Sequence, residues 1–318
     1  MTTVCLTGST GFLGAALSKK LNFDGDLSVR CVVRKIPHNA DGDLIEVGAI
    51  DGNTDYTIAL NQVDTVIHCA ARAHIMKDEV AEPLAEYRKV NVFGSENLAR
   101  QAAKAGVKRF IFISSVKVCG ESTTSSTEFV ESEATAPEDS YGQSKDEAEQ
   151  VLKKVALETG MDLVIIRPPL VYGPGVKANF LSLLKLADTM LPLPFGAINN
   201  HRSMVYVGNL VDFIILCIDH PKAANQTFLI SDGEDLSLRS LITYIRQAMG
   251  KPVRLVYVPN SLFKLAGMLT GKSTVVDRLV GDLQVNSKKA SQLLGWTPAY
   301  SVKQGITSTV ADFSQRNS

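Results

Sequence analysis

Tyr141 and Lys145 stand four residues apart in the run Tyr141-Gly142-Gln143-Ser144-Lys145. On a helix that spacing sets a phenol and an ammonium on one face. A free phenol ionises near pH ~10. To move a proton at neutral pH it needs a neighbouring cation that favours the phenolate, and Lys145 supplies one. Ser114 and Ser115 close an apolar run that begins at Arg109. A hydroxyl there can bond a substrate oxygen and assist the transfer. Such a set suits the proton of an alcohol or the oxygen of a ketone. Tyr-x-x-x-Lys also arises by chance on solvated helices, so its meaning depends on what the chain builds around it.

A second motif supplies that context. Gly8-Ser9-Thr10-Gly11-Phe12-Leu13-Gly14 spaces three glycines three residues apart, between the β-like run Val4-Cys5-Leu6 and a segment with Leu13, Ala16, Leu17 and Leu21 on one helical face. The first glycine allows a tight turn, the second a close approach to a pyrophosphate, and the third close packing of helix on strand. The helix N-terminus then offers free N–H groups to phosphate. The turn from Gly8 to Gly14, including Thr10, Gly11, Phe12 and Leu13, is therefore predicted to hold a dinucleotide. At the end of the second strand an acidic residue would bond the ribose of NAD. This chain has Val33-Arg34-Lys35 instead. Two cations suit a 2′-phosphate, so Arg34 tilts the expectation from NAD toward NADP.

These groups need a scaffold. Strand-like runs occur at Val29–Val33, Leu44–Val47, Thr65–His68, Arg109–Ser114 and Leu163–Ile166. Helical segments are predicted at Pro83–Ala105 and Tyr141–Thr159. Strands that are apolar throughout, alternating with helices, predict an α/β fold of Rossmann type, a doubly wound parallel sheet covered on both faces. Residues 1–167 form the expected dinucleotide-binding domain, and 204–230 are expected to return to it. Residues 168–203 and 231–318 form a smaller C-terminal substrate-binding domain. Residues 121–139, rich in Ser, Thr and Glu, read as a mobile surface flap.

The chain has 318 residues, 33 Lys+Arg against 33 Asp+Glu, and 45% hydrophobic residues. Zero net charge gives no electrostatic case for nucleic acid or a membrane as main partner. Cys5, Cys31, Cys69, Cys119 and Cys217 include no CxxC pair and read as reduced core residues. The absence of a signal-like start and of a long apolar run makes the cytoplasm the expected compartment. His38, His68, His74, His201 and His220 show no ligand spacing, so no metal is expected.

Together these features resemble the extended short-chain dehydrogenase/reductase superfamily, in its nucleotide-sugar epimerase/dehydratase branch. Further matching runs are His68-Cys69-Ala70-Ala71, Val90-Asn91-Val92-Phe93-Gly94-Ser95, Ser114-Ser115-Val116-Lys117-Val118-Cys119-Gly120, Arg167-Pro168-Pro169-Leu170-Val171-Tyr172-Gly173-Pro174, Arg202-Ser203-Met204 and Leu294-Gly295-Trp296-Thr297-Pro298. The resemblance implies that Ser115 rather than Ser114 is catalytic beside Tyr141 and Lys145. It makes Asn91 a structural residue and sets Ala70 and Pro168 along the cofactor. It gives Arg202, Arg278, Asn179 and Phe180 to a nucleotide diphosphate. The dehydratases carry Asp-Glu after the catalytic hydroxyl, whereas this chain has Val116-Lys117, which argues against dehydration. Lys117 is expected to face the sugar or the flap. The family's acidic residue near the adenine is replaced around Gly48-Ala49-Ile50, with Asp51 displaced.

The resemblance implies chemistry at C4 of a nucleotide-linked hexose, the substrate being UDP-linked, and closest to UDP-glucose 4-epimerases. An NADPH-dependent 4-reductase of a UDP-linked 4-keto-6-deoxy-N-acetylhexosamine fits the same residues. A non-catalytic NAD(P) sensor is the remaining reading. A homodimer is expected by resemblance, through a four-helix bundle that includes the Tyr-Lys helix.

Overall fold

In the computed structural model, residues 2–23, 27–36, 42–72, 82–124, 127–271 and 273–317 are described. The first half alternates β1 (Thr2–Thr7), α1 (Phe12–Phe23), β2 (Leu27–Val33), β3 (Asp43–Glu46), β4 (Thr65–His68), α2 (Pro83–Arg88), α3 (Ser95–Lys104), β5 (Arg109–Ile113), α4 (Ser140–Thr159) and β6 (Asp162–Arg167). After β7 (Leu170–Tyr172), α5 (Ala178–Asp188), β8 (Met204–Tyr206) and α6 (Val207–Asp219), β9 (Gln226–Leu229) completes the sheet. The C-terminal helices are α7 (Leu238–Ala248), α8 (Asn260–Leu269), α9 (Ser273–Val280), α10 (Lys288–Leu294) and α11 (Val302–Asn317).

The seven-stranded sheet runs β3-β2-β1-β4-β5-β6-β9, and every pair is parallel. The middle positions of its central strands β1, β4, β5 and β6 are apolar because both faces are covered. In β1, Val4 and Leu6 pack with Leu17 and Leu21 of α1 and Leu210 and Ile214 of α6. Cys5 points the other way, to a core with Leu98 of α3 and Leu152 of α4. In β5, Ile111 joins the first core, and Phe110 and Phe112 join the second. This alternation is the period-two geometry of a strand buried on both sides. The doubly wound α/β fold read from the sequence is therefore the fold observed. Strand order reverses on either side of β1 and β4, so a crevice opens past their C-terminal ends.

Three segments differ from the sequence reading. The helix expected over Pro83–Ala105 is interrupted by a π-helical stretch, Lys89–Gly94, which brings Asn91 into the interior. π-Turns of this kind concentrate at functional sites. Met204–Tyr206 pairs with β7 in a separate two-stranded sheet rather than with the main one. The chain's return to the large sheet is made by α6 and β9. The expected mobile flap is pinned. Thr123 and Phe129 bridge to Asp282 and Val285, Ala136 N donates to Val118 O (2.9 Å), and Leu229 N donates to Glu131 (2.9 Å). Backbone pairing to a strand-like partner from 282–286 explains why a polar segment is held.

Candidate active site

Where β1 ends, Gly8 turns the chain at φ +76°. A Cβ there would lie 2.6 Å from the Ala70 amide nitrogen, and one at Gly14 would lie 2.1 Å from Gly8 O. No other residue type allows β1, α1 and the end of β4 to meet this closely. The first turn of α1 leaves its N–H groups without helical partners. Beside it Ser9 Oγ is buried with no partner among the described residues. A cradle without room for side chains, an orphaned hydroxyl and a helix N-terminus fit a dinucleotide pyrophosphate. Arg34 is exposed at the end of β2. Asp51 accepts from Asn53 N (2.9 Å) within its own turn.

His68 ties this edge together. Thr7 Oγ lies 2.6 Å from His68 Nδ1, and Nε2 lies 2.9 Å from Ser95 Oγ. Ser95 Oγ donates to Asn91 O (2.6 Å) and so accepts from Nε2, which leaves Nδ1 to accept from Thr7. Thr7 in turn accepts from Ala70 N (3.2 Å). Burial, reinforced by Lys145, pulls the imidazole down to about 3. His68 is a neutral strut of the fold. Among the described residues no group of His, Cys, Asp and Glu could hold a metal. His38 and His74 lie outside them.

The Tyr141 helix is drawn onto the same edge from two sides. Asp139 caps α4, accepting from Gly142 N (2.7 Å). A Cβ on Gly142 would lie 2.6 Å from Lys117 O, so the first turn of α4 is pressed against the segment that follows β5. Asn91 Nδ2 donates to Ser144 Oγ (2.9 Å) and to Arg72 O (3.1 Å), while its Oδ1 accepts from Arg72 N (2.8 Å). Those bonds fix α4 one turn beyond Tyr141.

Within this frame the phenol of Tyr141 lies beside Ser115 and Tyr87. Burial pushes that phenol up to about 12, with Asp139 and Tyr87 adding to the shift and Ser115 opposing it. The lowering expected from Lys145 is not seen here, where burial, Asp139, Tyr87 and Ser115 set the phenol. Lys145 is 1% exposed. Its ammonium lies 4.0 Å from the centre of the Phe112 ring, and burial pulls it down to about 7 against the carboxylate of Glu149. The two serines have separate tasks. Ser114 Oγ donates to Glu149 (2.6 Å) and is buried. Ser115 is half-buried, and its Oγ accepts from Lys117 N (3.2 Å). Val116 N donates to Pro168 O (3.0 Å), which sets Pro168 against the same turn.

Lys117 turns to the 121–139 loop. Val116–Val118 is a 3-10 turn capped by Ser115. Its ammonium donates to Glu121 (2.8 Å) and to Asp139. Arg278 forks onto the same Glu121 (2.7 and 3.0 Å), and Arg202 donates to Arg278 O (2.9 Å) and Gly281 O (3.2 Å). Arg202 and Arg278 therefore come together, and their electrostatic partner is a carboxylate of the loop. Asn179 is exposed on the first turn of α5. Phe180 is buried, stacked on Tyr172 with ring centroids 5.4 Å apart, as part of the core.

Residues 4–231 match the NAD dependent epimerase/dehydratase family. The chain belongs to that family. A UDP-glucose 4-epimerase of Vibrio cholerae is 50% identical over 315 residues, spanning 99% of this chain and 96% of that protein. The N-acetyl-alpha-D-glucosaminyl-diphospho-ditrans,octacis-undecaprenol 4-epimerase of Escherichia coli O157:H7 is 29% identical over 96% of this chain and 94% of its own length. Among solved structures, the UDP-glucuronic acid 4-epimerase of Bacillus cereus in complex with NAD superposes with a TM-score of 0.80 at 20% identity, over the whole of both chains. That likeness concerns the fold. This epimerase/dehydratase chain also carries site residues that sequence reasoning missed. Gly142 was inside a quoted motif but unassigned. Glu121 and Asp139 bounded the loop without a role. Glu149 lies four residues past Lys145, on the Tyr141 stripe, and that periodicity was the available signal.

Proposed function

We propose that the chain is an NAD(P)-dependent enzyme acting at C4 of a UDP-linked hexose, as the Vibrio cholerae relative is named to do. The observation that carries the reading is a half-buried Tyr141 beside Ser115, one helical turn from a buried Lys145, on the same sheet edge as the glycine cradle. The bound dinucleotide would supply the nicotinamide ring that takes and returns hydride. Gly8, Thr10, Gly11, Phe12, Leu13 and Gly14 would hold its pyrophosphate, with Ala70, Pro168 and Arg34 along its length. Tyr141 takes the proton of the C4 hydroxyl and later returns it. Ser115 holds the C4 oxygen and the phenol in one line. Lys145 favours the phenolate and binds the cofactor ribose. Residues 168–203 and 231–318 would hold the nucleotide, with Arg202 and Arg278 on the diphosphate, Asn179 nearby and Lys117 at the sugar end. A sensor that only bound dinucleotide would need neither Ser115 nor Tyr141. Pairing through α2, α3 and α4 of two copies would give the dimer.

The 4-reductase reading keeps one observation of its own. Arg34 and Lys35 are both exposed where the cofactor ribose would end. Cofactor stoichiometry separates the two reactions. Incubated with UDP-glucose and catalytic NAD, an epimerase forms UDP-galactose with no net change at 340 nm (the NADH absorbance band). A reductase is inert there and consumes one NADPH for each UDP-4-keto sugar reduced. No turnover in either assay would overturn the C4 assignment.

Glu121 occupies the Arg278 fork that the diphosphate would need, so substrate must displace a charge-assisted bidentate bond. In Glu121→Gln that competitor is neutral. KM for the nucleotide sugar is expected to fall several-fold, as is Kd for UDP by calorimetry, with kcat little changed. An unchanged or weaker UDP affinity would remove Arg278 from the diphosphate site.

A further inference from the structure

Apolar surface is unevenly spread over this molecule. About half of the exposed large hydrophobic residues among the described residues fall in two short segments, 190–191 and 253–269. Tyr257, Met268 and Leu269 are 74%, 72% and 80% exposed. The segments form one surface. Arg246, buried in α7, donates to Thr189 O (3.1 Å), Leu191 O (2.7 Å) and Arg254 O (3.1 Å), and Leu193 N donates to Arg254 O (3.0 Å). Phe263 of α8 stacks on Phe195 at 5.9 Å. At Gly267 a Cβ would lie 2.8 Å from a methyl of Val276 on α9. The inner side of α8 is thus satisfied by the domain. Its outer side still carries Leu262, Leu265, Met268 and Leu269. A helix apolar on both sides is ordinarily covered on both.

Charge identifies the cover. From Lys251 to Val276 the sequence contains Lys251, Arg254, Lys264 and Lys272 and no Asp or Glu. Lys251 pairs with Asp188 (2.5 Å), while Arg254 and Lys264 are exposed beside the apolar residues. A second copy meeting this face about a two-fold axis would set Arg254 and Lys264 against their own copies, while Asp188 is already taken by Lys251. An anionic lipid surface balances them. It also accepts the apolar side chains and the amphipathic Tyr257 at the interface. The neutral charge total of the chain conceals this local excess.

We propose that residues 253–257 and the outer face of α8 form a docking surface for an anionic lipid bilayer, to which the protein binds peripherally. No helix among the described residues is long and apolar enough to cross a membrane, so the attachment is to one surface. Because α8 packs on α9, which carries Arg278, docking sets the Arg278 side of the molecule next to the headgroup layer.

Flotation of the purified full chain with phosphatidylcholine vesicles, with and without phosphatidylglycerol, tests this. The protein is expected to float with the phosphatidylglycerol vesicles, to remain below with phosphatidylcholine alone, and to be released as salt screens the attraction. The Leu265→Glu/Met268→Glu variant is expected to bind about tenfold more weakly, with its thermal unfolding unchanged. Lys264→Glu, which leaves the apolar face intact, is expected to weaken binding chiefly at low salt. No flotation with anionic vesicles overturns the proposal. So does equal binding by the double variant, or conversion of an oligomer to monomers by that variant in sedimentation, which would assign the face to a second copy. The readout needs no turnover, so it stands apart from the C4 assignment.

Discussion

Tyr141→Phe folds, binds dinucleotide and loses turnover by about 10²- to 10⁴-fold, the range over which a positioned proton-transfer group acts. The ring keeps its edge contact with Tyr87, whose centroid is 6.0 Å away, so the packing of α4 survives. What disappears is one oxygen, beside Ser115. With the phenol gone, no group on this edge takes the C4 proton. Lys145 is the nearest other titratable group on the helix, but it is buried under Phe112. The pH profile gives a second readout. The phenol of the protein alone is held protonated, up to about 12. Nearby positive charge from a bound nicotinamide lowers it. The parent's kcat/KM therefore rises with pH on its acid side as phenolate forms, and the Phe variant lacks that limb. Full activity in Tyr141→Phe would remove the phenol from the chemistry.

The reach of the sequence has a physical boundary. Strands β1, β4, β5 and β6 were legible because a parallel strand buried on both faces must be apolar at every position. The glycine turn was legible from its spacing, and two of its three glycines, Gly8 and Gly14, have no room for a Cβ. Ser115 over Ser114 came from resemblance, and in the structure Ser114 is bonded to Glu149. The illegible parts all depend on partners far apart in the chain. Glu149 finds Arg167 and Ser114, and Glu121 finds Arg278, through folding alone. The π-turn at Asn91 carries no propensity signature, and the partners of Asn91, the Arg72 backbone and Ser144, each lie on another element. The 121–139 loop read as mobile from its composition. Composition does not report the backbone pairing to 282–286 that holds it.

Glu149→Ala is expected to destabilise the fold by about 3–5 kcal/mol, the range for removing one partner of a buried ion pair. Glu149 is 0% exposed and Arg167 2%. The carboxylate accepts Arg167 Nε (2.9 Å) and Nη2 (2.6 Å) as well as Ser114 Oγ. Alanine leaves a guanidinium and a hydroxyl desolvated at the end of β5 and β6. The urea midpoint should fall with the slope unchanged, because the surface exposed on unfolding is the same. A loss under ~1 kcal/mol, the value of a solvated pair, would mean that water reaches Arg167. Glu149→Gln separates this structural task from a catalytic one. Glutamine keeps one accepting oxygen for Ser114 and Arg167 Nε, loses the bond from Arg167 Nη2, and removes the charge that favours the ammonium of Lys145. Burial already pulls that ammonium down to about 7, and without Glu149 it falls further. Lys145 is charged only below its pKa, so the high-pH side of the kcat/KM profile should move to lower pH in Glu149→Gln. A profile that does not move would confine Glu149 to the packing of Arg167 and Ser114. The expected movement would make the Tyr141–Lys145–Glu149 stripe one electrostatic unit, in which the buried acid keeps the lysine charged and the lysine favours the phenolate.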